Sequence, residues 1–245
     1  MILYTVIPCY NEEAVINETA GRLRIKYIDL IQSGIIDKES RILFVNDGSK
    51  DNTWKMISEL HDNDSLFTGI SLSHNRGHQN ALLAGLMTAM EFADAVISMD
   101  ADLQDDIAAI DEMISKYNSG CDIVYGVRSS RKKDSFFKRT TAQSFYKLMS
   151  SMGAETIYNH ADYRLMSKRA LLALSEYKEV NLFLRGIVPM LGFKTDVVYF
   201  ERAERFAGKS KYPLKKMISF AVDGITSFSI KPMRFITGLG VTIFM

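Results

Sequence analysis

The chain has 245 residues, 47% hydrophobic and 24% charged, which is enough apolar material for a full core and excludes a disordered polypeptide. Its 30 lysines and arginines against 29 aspartates and glutamates leave a formal net charge of +1, which argues against a nucleic-acid binder. Cys9 and Cys121 fall in strand regions without metal-ligand or redox neighbours, so both are expected to pack in the core of a protein in a reducing cytoplasm.

Met1 leads directly into an apolar run with no signal-peptide pattern. Short runs rich in β-branched residues predict strands at 2–7, 41–46, 67–72, 95–99 and 122–127, and helical patterns at 12–31, 52–60, 78–92 and 107–117 alternate with them. That alternation predicts an α/β protein with a Rossmann-like, mostly parallel sheet flanked by helices, which binds ligands at the C-terminal ends of its strands. The unusual residues fall at those ends: Pro8-Cys9-Tyr10-Asn11-Glu12, Asn46-Asp47-Gly48-Ser49, Ser73-His74-Asn75-Arg76-Gly77, and Asp100 to Asp106.

The last of these places four carboxylates within seven residues, directly after the run Ala95-Val96-Ile97-Ser98-Met99. Asp105 and Asp106 precede Ile107, Ile110, Met113 and Ile114 and are expected to cap the following helix. Asp100 and Asp102 sit earlier, at the strand's edge, where paired carboxylates suit Mg²⁺ or Mn²⁺ and, through the cation, a diphosphate. No Gly-x-Gly-x-x-Gly turn follows the first strand and no Gly-x-x-x-x-Gly-Lys loop occurs, which argues against dinucleotide oxidoreductases and the common ATPases and GTPases. Asp47, with Gly48, Ser49, Asp51 and Thr53, reads either as a turn feeding a helix cap or as an acceptor for the N–H edge of uracil or guanine.

The set Pro8-x-Tyr10-Asn11-Glu12, Asn46-Asp47-Gly48-Ser49, Asp100-Ala101-Asp102-Leu103-Gln104 and Arg205-x-x-Gly208-x-Ser210-Lys211-Tyr212, in this order, resembles family 2 glycosyltransferases, and within them the polyprenyl-phosphate type. The resemblance runs from Ile2 to about Arg234 and implies a GT-A fold. It implies a nucleotide-sugar pocket from Pro8, Tyr10, Asn11, Glu12, Asp47, Asn75, Gly77, Asp100 and Ala101, and a metal held by Asp100, Asp102 and Gln104. It also implies catalysis by Asp102 and by Asp162 on the acceptor side, with Arg202 and Arg205 near the phosphates. The chain departs from the family at Arg76, where an aromatic is commoner, and at Tyr163, where Phe is, and it lacks the Gln-x-x-Arg-Trp motif of processive synthases. The implied reaction is inverting transfer of a hexose from a nucleoside-diphosphate sugar, with UDP-glucose or UDP-N-acetylglucosamine favoured, to polyprenyl phosphate; the alternatives are a transferase of the same fold using GDP-mannose or a non-lipid acceptor, and a catalytically silent sugar-nucleotide-binding scaffold. Homo-oligomers form among members with this kind of tail.

Asp162 is expected either to take a proton from the acceptor or to orient an arginine such as Arg164. Two basic stretches fit an anionic acceptor: Arg128, Arg131, Lys132, Lys133, Lys138 and Arg139, followed by Phe136, Phe137, Phe145 and Tyr146 in and beyond it, and Arg202, Arg205, Lys209, Lys211, Lys215 and Lys216. Arg128, Arg139 and Arg185 are the candidates for gripping the acceptor phosphate. Apolar positions 214, 217, 218, 221, 225 and 228 follow helical spacing, so 213–234 is expected to lie on a membrane as an amphipathic helix after a catalytic domain at 1–212. Residues 235–245 are uncharged, shorter than the roughly 20 a spanning helix needs, and are expected to begin a transmembrane helix. Lys231 and Arg234 before them would keep the catalytic domain on the cytoplasmic face of the inner membrane.

Overall fold

The computed structural model describes residues 1–129, 160–178, 184–201 and 203, together with 237, 240, 242 and 244. The chain divides into two compact units, the first comprising 1–130, 159–178 and 191–209, the second 131–158, 179–190 and 210–245. In chain order the first unit holds β1 (Leu3–Cys9), α1 (Ile16–Gln32), β2 (Arg41–Asn46), α2 (Thr53–Asn63), β3 (Phe67–Ser71), α3 (His78–Met90), β4 (Ala95–Ser98), α4 (Ala109–Asn118), β5 (Ile123–Arg128), β6 (His160–Ser167), α5 (Lys168–Ser175) and β7 (Thr195–Phe200). The second holds α6 (Leu184–Met190), whose Leu184, Gly186, Ile187 and Val188 are buried.

The strands and helices expected before residue 130 are all present, with ends shifted by a few residues. Among the described residues the strands form one sheet in the order β3-β2-β1-β4-β6-β5-β7. β1 pairs in parallel with β2 and β4, β2 with β3, and β5 with β7, whereas β6 runs antiparallel between β4 and β5. Because β6 is reversed, its first residues arrive at the edge where the parallel strands end. The strand was not legible from periodicity because Asp162 and Arg164 interrupt its apolar pattern, although both are buried.

Helix α1 buries Ile16, Ala20, Leu23, Tyr27 and Leu30, one face at helical spacing, and each large aliphatic so buried is worth about 1.5–3 kcal/mol. The Tyr27 hydroxyl is paired with Thr5 Oγ1 at 2.7 Å, which removes the penalty of burying it. On the opposite side of the sheet α3 approaches closely at Gly85, where a Cβ would stand 2.4 Å from Val6 Cγ1 and 2.6 Å from Val45 Cγ2. A larger residue there would lift the helix from the sheet. Cys9 closes β1 and Cys121 lies just before β5; both are free thiols in the core.

Arg139, Arg202, Arg205, Lys211, the basic stretch after Arg128, the segment 213–234 and most of 235–245 lie outside the described residues. Thr237, Gly240, Thr242 and Phe244 are helical and exposed. No described helix is long and apolar enough to cross a membrane.

The N-terminal edge of the sheet is pinned at Asp122. Its Oδ1 accepts from Ser167 Oγ at 2.9 Å and Arg169 Nε at 3.1 Å, and its Oδ2 accepts from Arg169 Nη2. Ser167 Oγ in turn accepts from Ala170 N and caps α5. The Arg169 hydrogen bonds hold the Asp122 carboxyl below the usual range, with the Ser167 hydroxyl helping against the opposing effect of burial. A depressed carboxyl contributes stability above its unfolded pKa and loses it as pH falls through the folded one. Asp122→Asn is therefore expected to lower Tm near neutrality, and its deficit relative to wild type should shrink below about pH 4. A deficit independent of pH in thermal melts would assign the effect to packing instead.

Candidate active site

The strand order changes direction between β1 and β4, the place where open α/β sheets bind ligands. Pro8 sits at that seam. The Val6 carbonyl accepts from Met99 N on the β4 side and the Cys9 carbonyl accepts from Asp47 N on the β2 side, so residue 8 faces the side on which β4 has already ended at Ser98. A proline is tolerated there because no ladder partner asks for its missing N–H.

Beyond β1 the chain turns through Asn11 at φ 53°, and the first two strand-end loops interlock. Asn11 N donates to Ser49 Oγ at 3.0 Å, Lys50 N donates to Asn11 Oδ1 at 2.8 Å, and Glu12 N donates to Thr53 Oγ1 at 2.8 Å. Asp47, buried at the end of β2, is a clamp: Arg76 N donates to its Oδ1 at 2.6 Å and Gly77 N to its Oδ2 at 3.0 Å. Asn75 Nδ2 donates to the Asp47 carbonyl at 3.2 Å. Gly48, at φ 64°, allows this approach, since a Cβ on it would stand 2.6 Å from backbone atoms of His74 and Asn75. Of Arg76, the clamp uses the backbone N–H. Gly77, at φ 86°, redirects the chain into α3, which begins at His78.

After β4, burial alternates residue by residue. Ala101, Leu103 and Asp105 turn inward, while Asp100, Asp102 and Gln104 are half-exposed on the other side. Thr19 Oγ1 on α1 donates to the Ala101 carbonyl at 2.8 Å, and Gln104 N donates to Asp102 Oδ1 at 3.1 Å across Leu103 at φ 58°. The expectation for Asp105 is corrected. α4 starts only at Ala109, and Asp105 instead folds back so that its Oδ2 accepts from Asp100 N at 3.3 Å. Asp106 does serve the helix start, accepting from Ala108 N at 2.9 Å. Burial pushes the Asp105 carboxyl up to about 7, with the Asp100 charge adding to the shift and Arg128 opposing it. Its Oδ1 has no hydrogen-bond partner among the described residues.

Asp162 reaches the same edge from β6 and is buried. Arg164 Nη2 donates to its Oδ1 at 2.9 Å, and Ser98 Oγ, at the end of β4, donates to its backbone carbonyl. Its Oδ2 lies 3.5 Å from Gln79 Nε2 and 3.5 Å from His78 Nε2, and His78 Nε2 lies 3.7 Å from Asp100 Oδ1. Asp100, Asp105 and Asp162 thus belong to one continuous cluster. Tyr163, on the opposite face of β6, packs edge-on against Phe200 and donates its hydroxyl to the Asp106 carbonyl, a core role.

The glycosyl transferase family 2 profile matches residues 4–174, which covers this whole edge. The chain belongs to that family. It is therefore a glycosyltransferase, and its fold is GT-A-like. It is 58% identical to the uncharacterized glycosyltransferase YkoT of Bacillus subtilis over 99% of this chain and 72% of that protein. It is 40% identical to the bactoprenol glucosyl transferase of Shigella phage SfV over 99% of this chain and 77% of that one. Among solved structures it shares its fold with S. aureus TarS, at TM-score 0.53 and 16% identity, covering 82% of this chain and 60% of that one. It also shares it with glucosyl-3-phosphoglycerate synthase from Mycobacterium tuberculosis in complex with Mn²⁺, UDP and phosphoglyceric acid, at TM-score 0.51 and 17% identity, covering 90% and 75%.

In this family 2 chain the structure brings Pro8, Tyr10, Asn11, Glu12, Asp47, Asn75, Gly77, Asp100, Ala101, Asp102, Gln104, Arg128 and Asp162 to the C-terminal edge of the sheet. Arg185 lies on α6 in the second unit. His78 and Gln79 escaped the sequence reading because they look like ordinary first-turn residues of a helix; Asp105 was read as a cap. Asp47→Asn leaves one acceptor oxygen for two backbone donors. It is expected to lower unfolding stability by about 1.5–3 kcal/mol in urea titrations, the usual loss for a hydrogen bond to a buried charge.

Proposed function

We propose that this glycosyltransferase moves a hexose from a UDP-sugar to polyprenyl phosphate at the cytoplasmic face of the inner membrane, with inversion at the anomeric carbon. The observation that carries the reading is the meeting of two sets of groups at one edge: Asp100, Asp102 and Gln104 on the outer side of one loop, and Asp162 delivered by the reversed strand. The relatives at about 40% identity that are named bactoprenol glucosyl transferases supply the lipid acceptor and favour glucose.

The donor set fits Mg²⁺ or Mn²⁺. Asp100, Asp102 and Gln104 offer three partly exposed oxygen-bearing side chains within one loop. That is the arrangement expected of a cation held by one or two carboxylates and completed by substrate phosphates. When bound, the cation neutralises charge on the departing nucleoside diphosphate. The protein's own groups do the rest. Asn11 and Glu12 tie the first strand end to the second, and Asp47 ties the second to the third, as the floor of the nucleotide pocket. Ala203 N donates to the Gln104 carbonyl at 3.1 Å, which ties Ala203 to the Asp100 loop. Arg202 and Arg205 are assigned to balancing the phosphate charge.

A polyprenyl phosphate has a second pKa of about 6 and is largely dianionic at neutral pH, so it needs positioning more than deprotonation. Asp162 suits that role. Its Oδ1 is held by Arg164, while its Oδ2 lies 3.5 Å from both Gln79 Nε2 and His78 Nε2 and is assigned to the acceptor side. Arg128, half-buried at the end of β5, stands ready for the acceptor phosphate, and Arg139, Arg185 and Lys211 are assigned to the same task.

Membranes containing the protein, incubated with undecaprenyl phosphate, Mn²⁺ or Mg²⁺ and a panel of UDP- and GDP-sugars, are expected to yield one lipid-phosphate hexose, detected by mass spectrometry and lost with a chelator. Asp102→Ala and Asp162→Asn should each abolish the product, with Asp162→Asn retaining UDP-sugar affinity. A protein that binds the sugar nucleotide but forms no lipid product would overturn the acceptor assignment.

A further inference from the structure

We propose that His78 is a positioning residue that holds Asp162 for the acceptor and sets it against Asp100. The inference rests on the glycosyl-transfer reading above and adds to it a residue outside the expected metal and nucleotide sets. His78 Nε2 stands 3.5 Å from Asp162 Oδ2 and 3.7 Å from Asp100 Oδ1, so a single ring is shared by the carboxylate on the acceptor side and one on the diphosphate side. Two carboxylates brought to one ring repel each other unless a donor or a cation stands between them.

The ring's own position is determined from three directions. Asp47 clamps Arg76 N and Gly77 N immediately before it, Gly77 at φ 86° turns the chain, and Gly85 lets α3 sit against Val6 and Val45. His78 is the first residue of α3, so the positive end of the helix is presented to Asp162 along with Gln79 Nε2. A side chain 28% exposed at this point is reachable from the crevice and yet tied to a buried partner.

Loss of such a support misplaces a reacting group without removing a substrate contact, and typically costs about 10- to 100-fold. His78→Ala is therefore expected to lower kcat about 10- to 100-fold with the KM for the UDP-sugar changed less than about twofold. His78→Gln, whose amide Nε2 can donate from nearly the same place, should recover most of that loss. Melting temperatures of both variants are measured alongside, so that a misfolded His78→Ala is recognised and the kinetics of His78→Gln decide. Wild-type turnover in His78→Ala, a donor KM that rises in step with the loss of kcat, or a folded His78→Gln as inactive as His78→Ala would each overturn the proposal. Should the wild type form no lipid-linked sugar, the acceptor reading fails separately. Hydrolysis of the UDP-sugar by water, which uses the same carboxylates without a lipid, then supplies the same comparison of variants.

Discussion

The two backbone hydrogen bonds accepted by the Asp47 carboxylate are the interaction on which the rest of the site depends. A carboxylate buried at a strand end needs donors, and the N–H groups of Arg76 and Gly77 need acceptors, so each solves the other's desolvation problem. The result is a fixed starting point for α3. From that point follow the places of His78 and Gln79, and from those the environment of Asp162. One strand end thereby controls the surroundings of a residue more than a hundred positions away in sequence.

Asp162 and Arg164 form a buried ion pair in the middle of a seven-stranded sheet, an arrangement that pure stability does not favour, since apolar residues of similar size often serve a core better. The neighbouring strands show how the pair is tolerated. Ser98 Oγ caps the Asp162 carbonyl, and α3 offers its first turn to the carboxylate. Asp105 shows a related compromise behind the Asp100 loop, where a buried carboxyl with one oxygen unsatisfied among the described residues holds the backbone N–H of Asp100. Asp162 is itself assigned to the chemistry and Asp105 holds the backbone of Asp100, which is where a protein can be expected to accept local expense for geometry.

The α/β class, the nine elements before residue 130 and the loop carrying Asp100 and Asp102 were all readable because they depend on local patterns: apolar runs, helical spacing and polar residues at strand ends. The reversed strand was not, because a buried Asp-x-Arg reads as surface in a one-dimensional pattern. Asp47 stands out in the sequence as a polar residue at a strand end, and its partners in the fold are backbone groups of another loop. His78 carried no signal at all, since its meaning comes from two partners at positions 100 and 162 that only the folded sheet brings near. Asp105 misled because a carboxylate just before an apolar helical run resembles a cap whichever way its side chain turns.

The reversed strand also has a consequence for biosynthesis. β4 is complete by residue 98, but the partner on its free side, β6, begins only at residue 160. A chain emerging from the ribosome can fold the nucleotide-facing strands early, yet it carries an unpaired β4 edge, and no Asp162, until that later segment inserts between β4 and β5. Nascent chains stalled before residue 160 would thus be prone to strand-edge association.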